Sequence, residues 1–243
     1  DHHLIEFGSG SSTKTRVLLD YNSNIASYIP VDISKEHLHT SALALQSSYP
    51  SLIINPICAD FTAHFSLPQT SDKKKFSVFF PGSTIGNFNH EEANSFLLMV
   101  ASIIGKGGGL LIGVDLKKAP EILHNAYNDK QGITAQFNLN LLTRINKELN
   151  GTFNLNNFKH EARYEADKNR IEMHLVSLKE HSVMINNQDI FFSKGESIHT
   201  ENSYKYTIEE FHALGKLTGF KPIKAWVDEK KLFSIHYLSV EDN

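Results

Sequence analysis

Three short stretches carry groups able to hold a ligand, and each follows an apolar run. Gly8-Ser9-Gly10 follows residues 4–7, Asp32 follows residues 28–31, and Asp60-Phe61 comes just after residues 52–57. Gly8 and Gly10 permit a close backbone approach that a Cβ would block. A strand, a tight glycine loop and a helix in succession bring a ligand against bare backbone at a helix N-terminus. Asp32, 22 residues after Gly10, stands where a carboxylate accepts hydrogen bonds from both hydroxyls of a ribose. Asp60 can take the amino group of an adenine while the Phe61 ring packs nearby. Each has a plainer reading: a tight turn, an acid favoured by a helix dipole, and an aspartate in a turn. Their succession at three strand ends outlines a nucleoside lying across those ends. Thr13 occupies the place of the third glycine in the dinucleotide pattern, which argues against a pyrophosphate. The fourth apolar run, 76–80, opens into Pro81-Gly82-Ser83-Thr84-Ile85-Gly86-Asn87-Phe88. This loop carries an amide that suits a small polar substrate, or is a crossover loop with Asn87 at a helix start.

These groups need a frame, and the spacing of apolar residues supplies one. Strands at 4–7, 28–31, 52–57, 76–80 and 110–114 alternate with helices opening at 14, over 35–46 with Ser34 as N-cap, and over 90–104. Gly107-Gly108-Gly109 breaks the last of these. Alternation predicts a parallel, doubly wound sheet, which binds ligands beyond the carboxyl ends of its strands. The character changes after Lys117, with helices at 119–128 and 135–149 and extended runs at 158–164, 170–178 and 182–192. Ile171, Met173 and Leu175 alternate with Glu172 and His174, the pattern of a half-buried antiparallel strand. A helix over 207–217, with Gly219 near its end, and strands at 223–227 and 232–238 return to the first pattern. Residues 1–116 and 206–243 thus read as one domain and 117–205 as an inserted lobe.

Composition narrows the class. Hydrophobic residues make up 40% and charged residues 21% of 243, ordinary for a globular chain that buries a substantial core. A net charge of −3 gives no electrostatic case for nucleic acid. Lys73-Lys74-Lys75 reads as a solvated loop before a strand. The lone Cys58 excludes a disulfide and a cysteine-based zinc site, and its apolar neighbours predict a buried thiol. No run of membrane length and no signal peptide is present, so the expectation is a cytoplasmic protein. The thirteen histidines show no ligand spacing tied to carboxylates, so no metal is expected.

Taken in order, several motifs go beyond a generic nucleotide fold. They are Ile5-Glu6-Phe7-Gly8-Ser9-Gly10 with Lys14-Thr15, Pro30-Val31-Asp32-Ile33-Ser34, Cys58-Ala59-Asp60-Phe61 and the Pro81–Phe88 loop. They continue with Ala126-Tyr127-Asn128-Asp129, Gly132-Ile133-Thr134-Ala135-Gln136-Phe137-Asn138, Ile171-Glu172-Met173-His174-Leu175 and Thr200-Glu201-Asn202-Ser203-Tyr204-Lys205-Tyr206. The set resembles the histidine-specific Nα-methyltransferases, S-adenosylmethionine-dependent enzymes that make trimethylhistidine (hercynine) at the start of ergothioneine biosynthesis. The resemblance implies a Rossmann-like class I methyltransferase, with a central, mostly parallel seven-stranded sheet and an inserted α+β substrate-binding lobe. It implies S-adenosyl-L-methionine as cofactor, S-adenosyl-L-homocysteine as product, L-histidine as substrate and a monomer. Matched residue by residue, Gly8 and Lys14 lie near the methionine part of the cofactor, Asp32 at the ribose, and Asp60 and Phe61 at the adenine. Gly82, Asn87 and Tyr127 fall around the amino acid's backbone groups. Asn87 and Tyr127 would clamp the carboxylate and orient the reacting nitrogen. Met173, Glu201 and Ser203 fall around the imidazole. On residue type alone Tyr127 and Met173 read as core and Glu201 as a surface charge.

The chemistry is consistent with that assignment. Methyl transfer from a sulfonium is an in-line displacement with a built-in leaving group. The protein must align nitrogen, carbon and sulfur, an effect worth up to about 7–11 kcal/mol. A carboxylate paired with a hydroxyl can meet both nitrogens of an imidazole, whereas an indole offers one N–H and no acceptor. Glu201 therefore favours histidine over the tryptophan derivatives that a related group methylates. No general base stands out, so bulk water or a tyrosine takes the proton. The family also implies a largely helical segment ahead of the first strand that adds tyrosines to the amino-acid pocket. The sequence begins at Asp1, three residues before that strand. The expectation that follows is firmer S-adenosylmethionine binding than histidine turnover. The rival readings are methylation of another amino acid or amine, a nicotinamide-dependent oxidoreductase, and a cofactor-binding module with little activity.

Overall fold

Strand β1 (His2–Phe7) is buried from His3 to Phe7, because its apolar run leaves no face for water and its one carboxylate, Glu6, points into the protein. The protein is described here by a computed structural model covering residues 2–21, 24–63, 65–68 and 74–241. After the glycine loop come α1 (Thr13–Tyr21), β2 (Ile25–Asp32) and α2 (Lys35–Ser48). Ser34 takes the N-cap position of α2, but its side chain makes no capping bond. The third expected strand is split into β3 (Ile53–Ile54) and β4 (Ile57–Cys58), both parallel to β2. Pro56, which has no N–H to donate, lies in the break, and Asn55 N–H bonds the Tyr28 carbonyl at 2.9 Å instead. This interrupted edge leaves Ile53 61% exposed and also exposes Cys58, correcting the expectation of a buried thiol.

Strand β5 (Lys75–Phe80) pairs with the other side of β1. Lys73 of the basic run lies outside the described residues, while Lys75 begins the strand rather than the loop. Helix α3 (His90–Ile104) opens on a reciprocal capping box between Asn89 and Glu92 and leads to β6 (Gly109–Asp115). Then follow α4 (Pro120–Tyr127), α5 (Ile133–Glu148), β7 (Phe158–Glu165), β8 (Arg170–Ser177), β9 (His181–Ile185), β10 (Gln188–Phe192) and β11 (Ser197–Tyr204). The chain closes with α6 (Ile208–Leu217), β12 (Phe220–Val227) and β13 (Phe233–Val240). It divides into two compact units, Asp1–Leu116 with Tyr206–Asn243, and Lys117–Lys205. A parallel bridge joins Leu116 to Tyr206, whose N–H bonds the Asp115 carbonyl at 3.2 Å.

In the first unit the strand order is β12-β13-β6-β5-β1-β2-β3, with β4 also on β2. The strands from β6 to β4 run parallel, and β12 and β13 antiparallel. Eight strands stand where seven were expected, because one is in two pieces. The order reverses between β1 and β5, so the loops leaving their carboxyl ends diverge there. In the second unit β11, β8 and β7 form an antiparallel sheet and β9 and β10 a hairpin. The single run expected at 182–192 is that hairpin, turned by Asn186 and Asn187 at φ 48° and 65°. Strand β8 is central and buried on both faces from Ile171 to Ser177, not half-buried. Glu172 on its polar face is shielded by Arg170 and His174, which both donate to it. No described helix is long and apolar enough to cross a membrane.

One buried chain of groups gives the first unit a pH dependence. His212 Nε2 lies 3.1 Å from His236 Nδ1, and His236 Nε2 lies 2.8 Å from Ser234 Oγ, which donates to the Val114 carbonyl. Burial, aided by His212, pushes fully enclosed His236 down to about 4 from 6.5. Between those values the unfolded chain binds a proton that the folded chain refuses, so stability falls as pH drops from 6.5 to 4. The loss is on the order of 3 kcal/mol. Chemical denaturation at pH 7 and pH 4.5 should show it, and His236→Gln should flatten that part of the profile.

Candidate functional site

The loops after β1 and β5 line a cleft of about 250 Å³ at the point where strand order reverses. Its walls include Gly8, Gly10 and Lys14 on one side and Pro81, Gly82 and Thr84 on the other. The volume is below the roughly 300–1,000 Å³ of sites that enclose a whole drug-sized ligand. It is therefore sized for one end of a nucleoside-type ligand. Gly8 and Gly10 have φ of +63° and +48°, the left-handed region that favours glycine. A Cβ on Gly8 would sit 3.5 Å from the Phe61 ring. Ser9 Oγ on this wall is buried and has no hydrogen-bond partner among the described residues. Lys14 is exposed in the first turn of α1.

Asp32 ends β2, off the cleft wall but tied to it. Its Oδ2 accepts from Gly10 N–H at 3.2 Å and its Oδ1 from Ser34 N–H at 2.9 Å. Asp60 is exposed beyond β4, and its Oδ1 accepts from the Thr62 hydroxyl and N–H at 2.6 and 2.8 Å. Those two bonds, the hydroxyl foremost, hold its carboxyl below the usual range. Among the described residues, the hydrogen bonds to the Asp60 side chain use Oδ1. Phe61 stacks on Phe7 at 5.6 Å and meets Phe80 edge-on at 5.6 Å, so an aromatic cluster fixes it. Asn87 is exposed at the end of a short 3₁₀ turn, Thr84–Asn87, and is not on the cleft wall.

Beneath the glycine loop lies a group that sequence reasoning left without a role. Glu6 is 3% exposed and accepts hydrogen bonds from Thr15 and Tyr28, while Ser12 Oγ lies 3.0 Å from Tyr28 Oη. Burial pushes its carboxyl up, opposed by those two donors. A lone acid inside an apolar run was the available signal. The network ties β1, α1 and β2 together under Gly8 and Gly10.

In the second unit the structure brings four of the singled-out residues together. Met173 on β8 is the cross-strand partner of Glu201 on β11, and Ile171 of Ser203, with a bulge between His199 and Glu201. Partners across a sheet share a face. Met173 packs with Leu123, Ala162 and Ile171, and Tyr127 at the end of α4 joins that cluster. Tyr127 Oη lies 2.7 Å from Ser203 Oγ. Lys205 donates to both, at 2.9 and 2.5 Å. Burial raises the Glu201 carboxyl, and Lys205 partly offsets that. The opposite face gathers Glu172, His174 and His199, whose ligating atoms lie within 4.8 Å of one another. The sequence reading missed this trio because register across β8 and β11, not spacing, assembles it. Its carboxylate is engaged by Arg170 and lies 3.5 Å from Lys168, cations that compete with a metal ion.

Comparison with known proteins decides what this arrangement belongs to. Residues 1–240 match the family model described as histidine-specific, S-adenosylmethionine-dependent methyltransferases. The chain belongs to that family. A histidine N-alpha-methyltransferase of Mycobacterium tuberculosis is 36% identical over 237 residues, spanning 96% of this chain and 73% of that protein. An L-tryptophan methyltransferase of Psilocybe serbica is 27% identical over 255 residues, spanning 96% and 71%. An S-adenosylmethionine-dependent methyltransferase from Clostridium acetobutylicum shares the fold, with a TM-score of 0.55 over 99% of this chain and 85% of that one at 11% identity. Within this histidine-specific methyltransferase family the fold is thus the class I methyltransferase fold, and the cofactor is S-adenosylmethionine.

The cleft fits one end of that cofactor. It offers a buried hydroxyl without a partner, two left-handed glycines and a lysine, groups suited to a polar amino-acid moiety. Its far wall depends on Gly113 of β6, where a Cβ would fall 2.2 Å from the Pro81 carbonyl oxygen. Gly113→Ala should therefore move the backbone beside Gly82. We expect a loss of about 1–3 kcal/mol, read as a melting temperature lower by several degrees, together with weaker S-adenosylhomocysteine binding by calorimetry.

Proposed function

We infer that the chain transfers methyl groups from S-adenosylmethionine to the α-amino nitrogen of L-histidine, ending at trimethylhistidine. The observation that carries the histidine reading is the half-buried Glu201 carboxylate on the sheet face that also holds Ser203 and Met173. A carboxylate accepts the one N–H of a neutral imidazole, and a hydroxyl donates to its bare nitrogen. An indole has nothing to offer that second group, which weighs against a tryptophan derivative.

The remaining assignments belong to the same proposal. Lys14 and the Gly8–Gly10 turn hold the methionine end, Asp32 takes the ribose hydroxyls, and Asp60 with Phe61 takes the adenine. Gly82 leaves room for the amino acid's backbone groups and Asn87 orients its carboxylate, while Tyr127, matched in sequence to the same groups, turns its hydroxyl to Ser203. The cofactor supplies an electrophilic methyl on a sulfonium that is its own leaving group. The chain's task is then to present, in line, an amine that has already lost its proton, with residues 1–116 and 206–243 as the cofactor domain, which also lends Gly82 and Asn87, and 117–205 as the substrate lobe. A cytoplasmic monomer completes the reading, and light scattering tests the oligomeric state. Mass spectrometry of protein incubated with histidine and S-adenosylmethionine should show successive methyl additions. Histidine left unmethylated by protein that binds S-adenosylhomocysteine would overturn it.

A further inference from the structure

We propose that Lys205 is a positioning residue that fixes the hydroxyl protons of Tyr127 and Ser203, so that the pair presents one outward O–H donor on the sheet face that carries Glu201. The proposal rests on the histidine reading above. Lys205 is 2% exposed, and its backbone is anchored by donation to the Asn169 carbonyl at 2.8 Å. Its ammonium lies 2.9 Å from Tyr127 Oη, 2.5 Å from Ser203 Oγ and 4.8 Å from the centre of the Tyr127 ring. The two hydroxyl oxygens are themselves 2.7 Å apart.

An ammonium only donates, and a hydroxyl carries one proton and two lone pairs. Both oxygens therefore accept from Nζ. One hydroxyl donates to the other, and a single hydroxyl proton is left to meet a ligand. Without the lysine either hydroxyl could turn and accept. With it, three of the pair's four lone pairs are engaged, and the hydroxyl that accepts twice can only donate to what approaches it. Glu201, ionised, is met only by a donor on the ligand. A donor and an acceptor side by side match a neutral five-membered ring with one N–H and one bare nitrogen. They mismatch an indole, which lacks the acceptor, and a phenyl ring, which lacks both. Lys205 thus sets ring specificity through two side chains that touch the substrate.

The test uses the whole chain, with S-adenosylhomocysteine affinity and melting temperature as measures of folding. Lys205→Met should raise the KM for histidine tenfold or more while kcat stays within threefold, and binding of L-phenylalanine should stay within threefold. Lys205→Arg, which also only donates, should recover most of the histidine KM. The same substitution to Met in a Ser203→Ala background should add less than threefold. An unchanged histidine KM in folded Lys205→Met, or equal losses for histidine and phenylalanine, would overturn the proposal. If the lysine variants do not fold, Tyr127→Phe and Ser203→Ala decide it. Coupled hydroxyls predict a double variant within threefold of the worse single one, and fully additive losses overturn it. Wild-type protein that binds S-adenosylhomocysteine but ignores histidine removes the histidine reading itself.

Discussion

Asp32→Ala should lower S-adenosylhomocysteine affinity by roughly 10²–10⁴-fold, the largest single effect expected in the first unit. The lost partner is a charged acceptor at the end of β2. Each hydrogen bond to a charged group contributes about 1.5–3 kcal/mol. A ribose brings two hydroxyls, so about 3–6 kcal/mol is at stake, which gives the fold-change above. A second effect adds to it. Asp32 Oδ2 holds Gly10 N–H and Oδ1 holds Ser34 N–H, so the variant also frees the glycine loop. Asp32→Asn separates the two contributions, because its single carbonyl oxygen can keep only part of this set. Calorimetry reads all three proteins. Affinity within threefold of wild type in Asp32→Ala would remove Asp32 from the ribose.

Glu201→Ala should lower kcat/KM for histidine by roughly 10–150-fold, the worth of one hydrogen bond to a charge, with S-adenosylhomocysteine binding unchanged. The carboxylate must be ionised to accept the imidazole N–H, and burial has raised its pKa. Histidine methylation should therefore fade on the acid side at a pH above the ordinary glutamate range. Stability moves the other way. A glutamate whose folded pKa is raised loses stability as pH climbs from its unfolded value through its folded one. Glu201→Gln should then melt higher than wild type at pH 7 while methylating histidine poorly. A melting temperature that falls together with activity would point to a purely structural carboxylate.

The sequence made the first unit legible because the groups proposed to hold the ligand sit at the ends of strands, and apolar runs mark those ends. Residues 90–104 form α3 within the expected bounds because Asn89 and Glu92 cap it and Gly105 stops it. Cys58 was misplaced for a physical reason. Its neighbours are apolar, but Pro56 breaks the strand at the sheet edge, and apolar character does not report which strand is an edge. Strand β11 was not foreseen as a strand, since Ser197–Tyr204 is mostly polar and lacks an apolar alternation. It is held by pairing with β8 instead. That pairing also decides which of its residues share a face with Met173, and so Lys205 stayed hidden although its neighbours did not.

The bridge between Leu116 and Tyr206 has a consequence for how such enzymes diversify. The chain leaves the first unit after Leu116 and returns to it at Tyr206, residues that bridge each other, and the 89 residues between form the second unit. A segment attached in this way can lengthen, shrink or be exchanged without changing the register of any strand outside it. Loop-closure entropy grows only slowly with length, by about 0.6 kcal/mol per doubling. A new inserted unit can therefore be tried by splicing at one point, while the strand pairing of the first unit is inherited intact.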